Sequence, residues 1–149
     1  MLARRLEDTV RALIRSGVRY FGAGGARGFD TLAAETVLRL RKEYPHIRLI
    51  LVLPCLSQTR GWREEEKRRY EAIKTAADKV RYISREYTPE CMHRRNRHLV
   101  EYSGVCVCYL THGGGTGYTV DYARRNHVPV INLAAEQKES SKETGWGDL

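Results

Sequence analysis

The chain has 149 residues, 42% of them apolar and 30% charged, enough for one domain that buries ~70% of its unfolded surface. No apolar run approaches the ~18 residues of a membrane span, and the four cysteines include no C-x-x-C pair or zinc-like spacing, so a cytoplasmic chain with buried, reduced thiols is expected. The net charge is +8, rising to +10 for residues 1–135 because the tail beyond them carries two lysines and four acids; such a body suits an anionic partner, nucleic acid or a phosphorylated small molecule.

Leu2, Leu6, Val10, Leu13 and Ile14 recur at helical spacing, which predicts an amphipathic helix over Leu2–Ser16, closed by Gly17. A short strand at Val18–Phe21 leads into a glycine loop, Gly22–Gly28. Phe29-Asp30-Thr31 then opens a helix to about Lys42, with Asp30 as the expected N-cap. Arg48–Leu53, RLILVL, reads as an apolar strand closed by Pro54. Trp62–Ala77 is charged but keeps Tyr70, Ile73 and Ala77 on one stripe, so a surface helix is expected, followed by a weak strand at Val80–Ile83. Glu90–Ser103 should be helical, with Met92, Leu99 and Val100 facing inward and Asn96 in play beside them.

The most informative stretch is Val105–Asn126. An apolar strand, Val105–Leu110, runs into Gly113, Gly114, Gly115 and Gly117 and then into a helix-competent segment. Glycines let the backbone turn sharply and approach a ligand, while orphan N–H groups and the dipole of the following helix favour an anion. A tight turn that needs glycine for shape alone is the competing reading. Val128–Leu133 supplies a last strand, with Pro129 near its start. The order predicts an α/β, Rossmann-like fold: a mostly parallel sheet of about five strands with helices on both faces, over residues 1–135, and a polar mobile tail over residues 136–149. Both glycine loops follow strands, so one shared ligand site on one rim is expected.

Three segments together resemble the SLOG superfamily of Rossmann-like proteins, closest to its YpsA-like branch: Gly24-Gly25-Ala26-Arg27-Gly28-Phe29-Asp30, Met92-His93-Arg94-Arg95-Asn96-Arg97 and Gly113-Gly114-Gly115-Thr116. The resemblance covers about residues 1–133 and implies a nucleotide-derived ligand. Met92–Asn96 and His112–Thr116 are also similar to segments of the Lonely Guy phosphoribohydrolases. The glutamate that those enzymes carry shortly after the threonine is missing here, where Tyr118 and Thr119 stand, and Asp121 lies a turn further on. Without an acid beside the ribose, charge developing at the anomeric carbon has no stabiliser. Gly24–Asp30 and Arg94–Arg97 also resemble segments of DNA-processing protein A, which implies single-stranded DNA as the alternative partner. Members of this group place a strand and a Gly-His-Arg-like turn ahead of the first helix, whereas Met1 stands at that helix here. Two expectations correspond to this: a true start further upstream, or a sheet rebuilt from five strands, with pairing to another chain as one route.

The expected ligand contacts are Gly24, Gly25, Arg27, Asp30, Arg95, Asn96, Gly113, Gly114, Gly115, Thr116 and Tyr118. Arg95, with Arg97 as a second candidate, would grip phosphate bidentately, Asp30 a ribose hydroxyl, and Tyr118 a base. No catalytic residue, metal ligand or cofactor is assigned. A module that binds or senses a nucleotide or nucleotide-sugar of the ADP-ribose or NAD kind is favoured over an enzyme.

Overall fold

A computed structural model describes residues 1–111 and 115–134 and divides the chain into two compact units, Met1–Arg95 and Asn96–Leu149. The first unit contains α1 (Leu2–Arg15), β1 (Tyr20–Ala23), α2 (Phe29–Arg41), β2 (Arg48–Leu53), α3 (Glu64–Ala76) and β3 (Lys79–Tyr82). Helix α4 (Cys91–Glu101) starts in the first unit and ends in the second, which adds β4 (Cys106–Cys108), α5 (Gly115–Arg125) and β5 (Val130–Asn132). Every strand pairing among the described residues is parallel, as expected for a Rossmann-like α/β chain. The five strands are divided between a three-stranded sheet of order β1-β2-β3 and a two-stranded sheet, β4-β5.

Strand β2 is the middle strand of the first sheet, and Leu49, Leu51, Val52 and Leu53 are all buried. A parallel strand with neighbours on both sides reads as a continuous apolar run, and RLILVL is one. Its second amide is held by a side chain: Leu49 N–H donates to Asp78 Oδ2 at 2.8 Å, and Arg41 reaches the same oxygen at 2.6 Å. Helix α1 buries Leu6, Val10, Leu13 and Ile14, the stripe read from spacing, and it packs on α2. Around that contact Glu7 pairs with Arg11 and Arg39, and Arg11 with Glu43, at 2.7–2.8 Å. Solvent-screened pairs of this kind contribute little, so apolar burial dominates the packing.

Two details of the sequence reading are corrected. Asp30 is not the N-cap of α2: Gly28 holds that position, and Asp30, the second helical residue, turns back to accept from Ala26 N–H at 3.1 Å. Met92 is 38% exposed, whereas Cys91 and Arg95, one turn apart, are buried, so the inward face of α4 in the first unit is set by those two. In the second unit Val100, Cys108, Val120, Ala123 and Val130 form the core. Strand β4 stops at Cys108 rather than running to Leu110. Beyond it the Asn132 carboxamide takes over the ladder, accepting from Leu110 N–H and donating to Leu110 C=O, both at 3.0 Å. Residues 136–149, read as a tail, lie outside the described residues.

Candidate functional site

Strands β1 and β2 run side by side in register, Tyr20 opposite Arg48 and Ala23 opposite Leu51, so their carboxyl ends reach one rim. The segments leaving that rim are the glycine loop 24–28 and the connection 54–63 to α3. In parallel α/β sheets ligands lie beyond the carboxyl ends of strands.

Helix α2 begins against this loop without a side-chain cap. Its N-cap is Gly28, at φ +82, a conformation that a side chain would strain, and the first amide of the helix to find a partner is Leu32 N–H, which donates to Gly28 C=O at 3.1 Å. By helix geometry the amides of Phe29, Asp30 and Thr31 precede that bond and point out of the helix end. The loop ahead of them is held by its own side chains: Asp30 takes Ala26 N–H, and Thr31 Oγ1 donates to Ala26 C=O at 3.1 Å.

Underneath lies a charge that water does not reach. Arg95 is 5% exposed, and its Nη1 donates to Gly24 C=O. A Cβ on Gly24 would stand 2.6 Å from that nitrogen and 2.9 Å from Asp30 Oδ2, so guanidinium and carboxylate flank the same backbone atom. Burial pushes the Asp30 carboxyl above its ordinary range, against the pull of the Arg95 charge and the Ala26 N–H. Burial likewise lowers the Arg95 guanidinium, with Asp30 opposing. Each ion offsets part of the other's desolvation. Arg95, expected as a phosphate clamp, is thus engaged by the loop backbone and fixes its shape.

On the outer side Arg27 is exposed. Its guanidinium lies over the Trp62 ring, 5.2 Å from the centroid, and reaches Glu66 at 3.5 Å. Trp62 meets Tyr70 edge to face at 5.4 Å. Gln58 is 9% exposed, and among the described residues neither Nε2 nor Oε1 of its carboxamide has a hydrogen-bond partner. A Cβ on Gly25 (φ +77) would stand 3.4 Å from Gln58 Oε1, 3.4 Å from Tyr70 Cε1 and 2.5 Å from Leu53 Cδ2. The carboxamide therefore lies against the glycine loop, where only a residue without a side chain fits. Gln58, Trp62 and Tyr70 were absent from the expected site residues. Their signal was positional, since PCLSQTRGW leaves the carboxyl end of the most apolar strand.

Of the expected contacts, the first unit brings together Gly24, Gly25, Arg27, Asp30 and Arg95. The others belong to the second unit. There Asn96 is half-buried on α4, Gly115 starts α5, Thr116 is exposed in its first turn, and the Tyr118 hydroxyl accepts from Arg97 Nη1 at 2.9 Å. Gly113 and Gly114 lie outside the described residues. Cys55, Cys91 and Cys108 are buried, and burial, with the neighbouring Cys106, pushes the Cys108 thiol up to about 12, so it is no thiolate at neutral pH. No helix of the described residues is long and apolar enough to cross a membrane.

The model of the YspA SLOG family matches residues 1–128. A UPF0398 protein of Halalkalibacterium halodurans is 34% identical over 128 residues, spanning 83% of this chain and 68% of that protein. UPF0398 proteins of Bacillus thuringiensis (strain Al Hakam) and Bacillus cereus (strain AH187) are each 26% identical over 156 residues, spanning 99% of this chain and 85% of theirs.

Proposed function

The chain belongs to the YspA SLOG family, and from that premise we propose that it binds a nucleotide or nucleotide-sugar of the ADP-ribose or NAD class, as a binding or sensing module. The observation that carries this reading is the uncapped amino end of α2 facing the Gly24–Gly28 loop at the carboxyl end of β1. Three outward amides and the helix dipole form an anion site that a phosphate completes. Arg27, exposed beside the loop, supplies a mobile cation, while the buried Arg95–Asp30 pair holds the loop in the shape that presents its amides. In the second unit the same chemistry assigns phosphate contact to the amides of Gly115 and Thr116 at the start of α5, with Gly113 and Gly114 ahead of them and Asn96 and Tyr118 as polar contacts.

A thermal-shift titration tests this. AMP, ADP-ribose or NAD at 100 times its Kd adds ~2.7 kcal/mol of stability. For a domain of this size that raises the melting temperature by roughly 5–10 °C. Adenosine, which lacks the phosphate, is expected to give no comparable shift. An unchanged melting temperature with all three phosphorylated ligands at millimolar concentration removes the reading.

A further inference from the structure

Gln58 presents an unusual arrangement. A buried amide normally has its donor and acceptor both engaged, because each one left over carries its full desolvation cost. Here both ends of the carboxamide lack a partner among the described residues, in a side chain more than nine-tenths buried and set against the ligand-facing glycine loop. Leu and Met have similar volume and would fill this place without the cost, so packing alone does not account for glutamine. Four residues on, Trp62 offers a flat aromatic face, and the group lying on that face is a cation, Arg27, whose other contact is a 3.5 Å pair with Glu66.

We propose that Gln58 and Trp62 form the subsite for the base of the ligand, and that the base is a purine with a donor and an acceptor side by side on one edge, as in adenine. This rests on the nucleotide reading above and extends it from the phosphate to the heterocycle. The carboxamide is a donor–acceptor pair in one plane, the complement of the adenine amino group and its neighbouring ring nitrogen. Trp62 supplies the stacking surface. As the ligand seats, Gly25 shifts off Gln58, while Gly24 and Ala26 keep their bonds to Arg95 and Asp30. Arg27 leaves the Trp62 face and follows the phosphate, whose full charge outcompetes a ring quadrupole and a partly exposed carboxylate. Phosphate capture and uncovering of the base platform are therefore one motion of one side chain.

The first measurement needs no variant: isothermal titration of the full chain with AMP and with ribose 5-phosphate, which share the phosphate and differ in the base. AMP is expected to bind at least ten-fold more tightly. Equal affinities overturn the base subsite while leaving the phosphate reading standing; absence of AMP binding overturns the base subsite, and the phosphate reading falls with it only if ADP-ribose and NAD also fail to bind. The second measurement uses Gln58→Leu and Trp62→Ala. Each is expected to reduce the AMP to ribose 5-phosphate affinity ratio to within about three-fold of one. Gln58→Leu should also melt at or above the temperature of the parent chain, because it removes a buried amide that the fold does not satisfy. A lower melting temperature for Gln58→Leu, or an unchanged affinity ratio in it, assigns the amide to the fold and overturns the proposal.

Discussion

Arg95 and Asp30 are oppositely charged side chains that share a glycine. Removing one partner of a buried pair leaves the other ion uncompensated, typically at a cost of 3–5 kcal/mol, whereas removing both costs less. Arg95→Leu should accordingly destabilise the chain by about 3–5 kcal/mol in urea unfolding, the more so because Gly24 C=O loses its donor. The double change Arg95→Leu with Asp30→Asn should recover at least about 1 kcal/mol of that loss. Single and double variants of equal stability would show that the two charges are not coupled. The sequence made Arg95 conspicuous, since it stands in a basic run on a helix, but it gave no sign of the bond to Gly24 C=O. A run of arginines carries no mark of which one turns inward. That is decided by Cys91 one turn earlier and by the absence of a Cβ at Gly24, and no periodicity of α4 encodes a vacancy in another element.

Elements were far more legible than sites. The Leu6–Ile14 stripe, the RLILVL strand and the Tyr70–Ile73 face each follow from a local period, and each is buried as that period requires. Ends shifted where a side chain rather than a backbone rule sets them. Helix α3 begins at Glu64 because Glu66 takes Arg63 N–H at 3.1 Å, and β4 is shortened where Asn132 substitutes for a strand. Asp78 is a further case, a carboxylate ahead of β3 that holds the second amide of β2, Leu49 N–H. Burial opposes its ionisation, but Leu49 N–H and Arg41 together outweigh burial and keep the carboxyl below its ordinary range. A carboxyl depressed in the folded state contributes stability that is complete above the unfolded value, ~3.9, and is lost as pH falls through the folded one. The parent chain should therefore exceed Asp78→Asn by about 1 kcal/mol at pH 7, with the partial exposure of the pair limiting the gain. That margin should close as the pH falls below about 4 in urea titrations. A margin that stays constant across this range would place the contribution of Asp78 elsewhere than in its charge.

For the whole molecule the question is what a body of net charge +10 is for. Tracking a nucleic-acid backbone through six phosphates would make affinity fall by roughly 10³ between 50 and 200 mM salt, whereas a nucleotide held by amides and one or two arginines is far less sensitive. Part of the basic surface is already paired: Arg11, Arg39, Arg41 and Arg69 each reach a carboxylate within 3 Å. A labelled single-stranded oligonucleotide should therefore bind weakly, and Arg97→Ala should leave that binding unchanged. Tight binding that collapses with salt and with this substitution would make DNA the better partner. The parallel order β1-β2-β3 has a temporal consequence as well. A parallel neighbour cannot be supplied by a hairpin, so Tyr20 meets Arg48, and Ile50 meets Lys79, only after roughly thirty further residues have been made. At ~5–20 residues per second, a nascent β1 waits seconds for its partner strand β2. Late in that interval, once α2 has emerged, α1 can bury its apolar stripe on it, and α2, which packs on β1, is positioned to shield a strand that the ribosome has released too early to pair.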